Sequence, residues 1–366
     1  MKFSIPRESL LKPLQVVTGV VEKRQTLPVL SNVLLTVTRE QLTLTGTDLE
    51  VELLAGTTLE EAEAGEITVP ARKFVDICRA LPEGARVDMR LDGERALIRS
   101  GRSRFTLATL AATEFPAMDS VTGAFRFSIK QRDLRKLIEQ TQFSMANQDV
   151  RYYLNGLLLE VDRNRLRAVA TDGHRLAICT IEGQVDAEDA RQVIIPRKGV
   201  MELVRLLEDS EEACEIQMNT NYVRVVANGV TLTSKLIDGR FPDYERVVPK
   251  GGGKLIVAER EALRQALVRT SILSNEKYRG IRLHFKEQTL RATVNNPEQE
   301  EAEEELEVQF EGTEFEIGFN VSYLLDALNA IKEPEVRLSM TDANSSCLIQ
   351  GVGDEHSRYV VMPMRL

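Results

Sequence analysis

Thr171-Asp172-Gly173-His174-Arg175 sets a carboxylate two residues from one of only three histidines in the chain. That pairing suits general acid–base catalysis or metal ligation. Nothing nearby supplies further ligands at metal spacing, and Asp-Gly after a short strand is an ordinary turn, so the bland reading carries more weight. The four cysteines, Cys78, Cys179, Cys214 and Cys347, are scattered with no C-x-x-C, which argues against a zinc site or a disulfide framework. The acidic run 298–307 lacks the glycine turn and spaced ligands of a calcium loop. A solvated run or a charged interface are the readings left for it. No Gly-x-x-x-x-Gly-Lys-Ser/Thr phosphate loop is present. The expectation is a protein with no catalytic residues, no metal and no cofactor.

The elements that must position these residues repeat along the chain. Segment 193–207 (VIIPRKGVMELVRLL) is a strand that stops at Pro196, then a basic turn and a helix. Val200, Leu203, Val204 and Leu207 fall at i, i+3, i+4 and i+7, which places them on one buried stripe, with Arg197, Lys198 and Arg205 facing outward. Segments 3–14, 127–138 and 255–267 resemble one another, their starts separated by 124 and 128 residues. A second unit recurs at 67–81, 193–207 and 315–328, and a Phe-Pro turn at 115–116 and 241–242. Helix starts at Pro6, Pro70, Lys130, Pro196, Ala258 and Phe319 are 64, 60, 66, 62 and 61 residues apart. Internal repetition on this scale implies three similar domains, each of two strand–helix halves.

Short alternating segments at 41–45, 96–100, 166–170, 222–226 and 290–294 read as strands. Asp92-Gly93, Asn228-Gly229 and Asp238-Gly239 read as turns between strands. The fold class is therefore α+β, a pair of helices on antiparallel sheet in each domain. Pro13 inside the first helix predicts a kink or a late start. The domains are placed at 1–122, 123–251 and 252–366, with joints at 120–124 and at the glycine-rich 249–253.

Net charge is −9, yet binding depends on where charge sits rather than on its sum. The six helical segments together carry +7, leaving −16 for the rest of the chain. Helices turned inward around an axis would make a positive lumen, attractive to phosphates without reading bases. No run approaches eighteen apolar residues, so no membrane span is expected. The early charges of the N-terminus do not suit a secretory signal, and an intracellular, cytoplasmic protein is the expectation.

Several stretches carry a resemblance that covers the chain end to end: TLPVLSNVLL (26–35), LTGTDLE (44–50), SGRSRF (100–105), QDVRYYLNG (148–156), ATDGHRLA (170–177), DGRFPDYERV (238–247), ILSNEKYRG (272–280), NNPEQEEAEEELE (295–307) and YVVMPMRL (359–366). Together they resemble the bacterial sliding clamps, the beta subunits of replicative DNA polymerase III. The resemblance implies a DNA clamp fold, with two chains joined head-to-tail as a ring whose hole is lined by helices. It implies a non-catalytic processivity factor that encircles duplex DNA without sequence specificity. Polymerase subunits, the clamp loader and repair proteins would bind it through short Gln- and Leu-containing peptides.

Residue by residue, the resemblance implies a peptide pocket between the second and third domains. Its members are Leu154, Thr171, Gly173, His174, Arg175, Leu176, Pro242, Arg246, Val247, Ser346, Val360, Val361, Met362, Pro363, Met364 and Arg365. The Met-rich terminus also reads, from its residues alone, as a last strand packed on its own domain, while adaptable methionines suit a site with many partners. Glu245 departs from the family, where a base is expected beside Arg246, and this predicts weaker binding of acidic peptides. The DNA-contact set is Arg24, Arg72, Arg79, Gln148, Tyr152, Tyr153, Arg197, Lys198 and Arg205, although a tyrosine pair is more often buried packing. At the dimer interface, basic Lys73, Arg95, Arg102 and Arg104 would face acidic Glu300, Glu301, Glu303 and Glu304, with Phe105, Leu107, Ile272 and Leu273 as apolar anchors. Two rivals remain open on sequence: an enzyme built on Asp172 and His174, and an acidic scaffold that binds peptides but no DNA.

Overall fold

The computed structural model describes residues 1–22, 27–119, 121, 125–183, 190–249 and 253–365. Six strands run directly into six helices among these residues. The helices are α1 (Arg7–Val17), α2 (Ala71–Ala80), α3 (Gln131–Glu139), α4 (Arg197–Leu206), α5 (Arg260–Thr270) and α6 (Val321–Ala330). In α2, Ala71, Phe74, Val75 and Cys78 are buried; in α5, Leu263, Ala266, Leu267 and Thr270 are. Both sets follow i, i+3, i+4, i+7, the stripe that holds a helix on a sheet.

The strands before α1 to α4 end at Pro6, Pro70, Lys130 and Pro196, as the repeat predicts. The last two end one residue later, at Glu259 and Asn320 rather than Ala258 and Phe319. Ala258 and Phe319 are buried strand residues, and their successors cap the helices. Glu259 accepts from the Glu261 and Ala262 amides at 3.0 and 2.5 Å, and Asn320 accepts from the Ser322 amide at 2.9 Å. Helix α1 neither starts late nor stops at Pro13. The missing amide would have bonded the Ser9 carbonyl, and Ser9 is exposed to water.

Arg7 and Arg260, which contribute to the +7 of the helical segments, prove to be framework. Arg7 donates to the Cys78 and Arg79 carbonyls at 2.8 and 3.2 Å, closing the end of α2. Arg260 does the same at the end of α6, donating to the Leu328 and Glu333 carbonyls at 3.4 and 3.2 Å. Terminal helix carbonyls lack intrahelical donors and carry negative partial charge, so a guanidinium satisfies both needs.

The described residues form two compact bodies, Met1–Arg135 with Lys198–Leu236, and Lys136–Arg197 with Ile237–Leu366. The first holds a five-stranded and an eight-stranded antiparallel sheet, the second a nine-stranded and a four-stranded one. These bodies cut across the threefold sequence repeat because strands pair across its boundaries. In the first body Val230–Lys235 pairs with Val51–Thr58, Val230 opposite Ala55. In the second, Arg175–Glu182 pairs with Ser357–Val361, Arg175 opposite Val361.

All five strand segments expected from alternation are strands, at Gln41–Thr47, Arg95–Ser100, Arg165–Thr171, Tyr222–Ala227 and Thr289–Asn295. Asn228 and Gly229 both have positive φ, 54° and 72°, in a two-residue hairpin turn. Asp238-Gly239 is no such turn; it lies in the irregular run after Val230–Lys235. The acidic run is mostly strand, with 298–300 in the loop that precedes it. Glu301–Glu307 is an edge strand of the four-stranded sheet, with Ala302, Glu304 and Leu306 half-buried and the odd-numbered glutamates exposed.

Candidate functional site

In the second body, the turn between Arg165–Thr171 and Arg175–Glu182 is built by its own side chains. Gly173 sits at φ 88°, where a side chain is strained. The Thr171 hydroxyl donates to the Arg175 carbonyl at 2.6 Å. Asp172 Oδ1 accepts from the His174 and Arg175 amides at 2.9 and 3.0 Å, and Oδ2 from Arg175 Nε at 3.0 Å. Asp172 therefore holds backbone, not the His174 ring, and His174 is exposed. The acid–base pair suggested by spacing is a turn.

Arg175 is a hub. Its guanidinium reaches Asp326 and the Phe143 carbonyl, each at 2.5 Å, and stacks 4.5 Å from the Tyr323 ring centre. With its side chain 13% exposed, it ties three segments together rather than presenting a free charge. Arg151 was missed on sequence. It clamps Asp149 through two bonds at 3.0 and 2.9 Å and reaches the Asp172 carbonyl at 3.2 Å. Burdened by that clamp, the Asp149 carboxyl is held down to about 2. Asp149 is only two residues away, but the Asp172 carbonyl is 21 residues on, and that distance leaves no spacing signal.

Beneath the turn lies an apolar floor of Leu158, Val169, Leu176, Ile178, Phe241, Tyr244, Leu348 and Val360, with Leu154 buried as well. Pro242, Arg246 and Val247 are exposed above it, and Ser346 donates its hydroxyl to the Val247 carbonyl at 3.1 Å. The Met362 amide bonds the His174 carbonyl at 2.9 Å and the Met364 amide the Gly318 carbonyl at 2.8 Å. Met362, Pro363 and Met364 are half-buried and Arg365 is exposed. Val361 is a correction. It is buried in a different core, with Ile256, Phe319 and Tyr359, because adjacent strand residues point to opposite faces.

Glu245 is not an unmasked charge. Its Oε1 lies 3.0 Å from Arg167 Nη1 and 3.4 Å from Arg358 Nη2. Its side chain is 49% exposed, so Glu245 is a charge paired with two bases at the surface rather than a lone one.

The candidate DNA contacts are of four kinds. Arg24 lies outside the described residues. Arg72, Arg79, Gln148 and Tyr152 are exposed, Gln148 with φ 57°. Tyr153 is half-buried against the apolar floor, its ring 5.7 Å from that of Tyr152. Arg197 donates to the Met145 carbonyl at 3.2 Å, and Arg205 pairs with the buried Glu202 at 2.5 Å. Lys198 does not face outward as the stripe predicts. It bonds Glu22 at 2.5 Å and also Asp48, whose side chain is 5% exposed. Burial alone would lower the lysine's pKa, but its bonds to Asp48 and Glu22 outweigh that and hold it above the usual value. On the same helix Val200 and Leu203 are buried as expected, as is Leu207 just past its end, Val204 only partly, and Glu202 and Leu206 join the buried face.

Two sheet edges carry opposite charge. The first body ends its five-stranded sheet at Ser103–Ala108, where Arg95, Arg102 and Arg104 are exposed, Phe105 half-buried and Leu107 buried. Arg99 lies directly opposite Arg104, a like-charge pair that favours a nearby anion. Lys73 is exposed on α2. The second body ends its four-stranded sheet at Glu301–Glu307; Ile272 is 75% exposed beside half-buried Leu273. Glu300, Glu301 and Glu303 are exposed. Glu304 is engaged within the chain by Arg269 at 2.5 and 3.0 Å, which lowers its pKa.

Profiles of the DNA polymerase III beta subunit match the chain in three pieces, the N-terminal domain at residues 1–119, the central domain at 128–243 and the C-terminal domain at 245–365. The beta sliding clamp of Pseudomonas putida is 59% identical over 367 residues, covering all of both chains. The chain belongs to the DNA polymerase III beta subunit family. A crystal structure of the DNA polymerase sliding clamp from Pseudomonas aeruginosa covers all of this beta-subunit chain at 57% identity and a TM-score of 0.97. A clamp from the same organism bound to griselimycin is similar at 57% identity and a TM-score of 0.96, again over both whole chains. As in the family, the beta-subunit chain has three clamp domains of helix and antiparallel sheet, and it is a non-catalytic polymerase subunit.

Proposed function

We propose that the chain acts as a polymerase processivity factor: two copies close head-to-tail into a ring that encircles duplex DNA and slides on it. The observation that carries this reading is the full-length likeness to sliding-clamp structures at a TM-score of 0.97. The oppositely charged sheet edges support the closure, since an open edge pairs readily with another chain and charge sets which edge it meets. Topology supplies the hold, so DNA contacts from Arg24, Arg72, Arg79, Gln148, Tyr152, Tyr153, Arg197 and Arg205 need only be weak and salt-sensitive.

The groove beside Gly173 and Val247 takes short apolar peptide segments from polymerases, the loader and repair proteins. Tethering there makes polymerase dissociation an intramolecular, quickly reversed event. The three domains divide at 1–122, 123–251 and 252–366, and the ring works in the bacterial cytoplasm. Opening it draws on a partner's ATP.

Loading the protein on nicked circular DNA with its loader and ATP, then linearising the circle, tests the ring. Loss on linearisation, with retention on closed circles through moderate salt, is the expected result. Equal retention on both would leave ordinary electrostatic binding.

A further inference from the structure

The wall of the groove that carries Pro242 and Val247 is one short helical turn, Tyr244–Arg246. So short a turn does not fix its own orientation; burial of Phe241, Tyr244 and Val248 in the apolar floor holds one side of it, and charge holds the other. Arg167, on the Arg165–Thr171 strand, places Nη1 3.0 Å from both the Tyr244 hydroxyl and Glu245 Oε1, and Nε 3.1 Å from the Thr180 hydroxyl. The Tyr244 hydroxyl donates to Glu160 Oε2 at 2.6 Å. Arg358, on the terminal strand, reaches the same Glu245 oxygen at 3.4 Å.

An isolated exposed ion pair contributes little, but a network around buried arginines behaves differently. Here the two arginine side chains are only 14% and 23% exposed. Glu245 is the one residue of the turn that reaches both. Arg246, by contrast, is 83% exposed and pairs with Asp243 at 2.6 Å, so it is the charge the wall offers outward.

We propose that Glu245 is a positioning residue for the groove, joining the turn to two strands so that Pro242 and Val247 stand in place before a peptide arrives. This rests on reading the groove as a peptide site. Preorganisation raises affinity by removing an ordering cost from binding, whatever the ligand's charge. The acidic side chain is thus part of the scaffold, and its effect on peptides is geometric rather than repulsive.

The test uses the full-length protein and two fluorescent synthetic peptides of Gln and Leu, identical except that one carries an added Asp. Glu245→Ala weakens both by the same factor, about fivefold. Glu245→Gln, which keeps an acceptor for Arg167, recovers most of the loss. Arg358→Ala weakens binding too, and the double variant loses less than the product of the two, as coupled partners must. Tighter binding of the Asp peptide alone in Glu245→Ala, or no change with either, would overturn the proposal.

Hydrogen exchange in the unliganded protein tests the same residue without a peptide. Amides of 244–248 exchange several-fold faster in Glu245→Ala, whereas unchanged rates would overturn the proposal. Wild-type protein that binds neither peptide while Glu245→Ala still accelerates exchange would sink the peptide reading of the groove and leave the turn's anchor standing.

Discussion

Replacing Lys198 by alanine separates a structural tie from a DNA contact. Removing one partner of a buried ion pair costs about 3–5 kcal/mol because a charge is left uncompensated. Two features reduce that figure here. Lys198 is 27% exposed and Glu22 54%, so water relieves part of the loss. Asp48 Oδ1 also keeps its bonds from the Glu50 and Val51 amides, at 2.9 and 2.7 Å.

A loss of about 2 kcal/mol remains, roughly a 4–8 °C fall in melting temperature at two to four degrees per kcal/mol. Thermal unfolding followed by circular dichroism measures it. Adding Asp48→Asn removes the stranded charge and restores about half. DNA affinity as a function of salt supplies the second reading, since losing a true phosphate contact lowers the slope by about 0.9. In the double variant the slope stays at the wild-type value. An unchanged melting temperature together with a slope reduced in both variants would refute the tie and return Lys198 to the DNA-contact set.

Three further outcomes are expected. Gly173→Ala at φ 88° brings a Cβ to 2.8 Å from Arg151 Nη1, so it destabilises by about 1–2 kcal/mol and weakens peptide binding at least several-fold; denaturation and fluorescence anisotropy check both. Asp149, with its carboxyl lowered to about 2 by Arg151, keeps its loop intact as acid is added past the usual carboxylate range. Because the folded value lies below the unfolded one, the stabilisation is present above about 3.8 and is lost only as pH falls toward 2. Tyrosine fluorescence from the 147–153 loop would register a transition near pH 4 if the clamp were absent. All four cysteines are buried, and burial pushes Cys78 and Cys347 up to about 12 and Cys179 and Cys214 to about 11. An aromatic disulfide reagent at pH 8 therefore labels none before denaturation, and rapid native labelling of any one would contradict the core assignments.

The periodic features were legible in the sequence. The six strand-to-helix passages came from spacing because each needs a buried stripe at fixed intervals, and that stripe is written in consecutive residues. The one-residue slips at Glu259 and Asn320 escaped because capping is a side-chain choice that spacing does not encode. Charge was read less well. Arg7, Arg260 and Lys198 look like exposed basic residues on a helical wheel, yet each meets a carbonyl or carboxylate supplied by a distant segment. The same distance hid the Arg167–Glu245–Arg358 network and the role of Arg175. Local pattern reveals which face of an element is apolar; it does not reveal which residue far along the chain will neutralise a charge on the other face.

The pairing of Arg175–Glu182 with Ser357–Val361 also has a consequence for how the protein is made. The strand at Arg175–Glu182 leaves the ribosome long before its neighbour at Ser357–Val361 exists. At typical elongation rates the interval is on the order of ten seconds or more. Throughout it, a strand rich in buried residues waits with one row of amides and carbonyls unpaired, beside an apolar floor that still lacks Val360. Unpaired strand edges recruit other chains. Ser357–Val361 therefore seals an aggregation-prone seam of the second body, and removing this strand should be punished in yield well before the variant is tested for function.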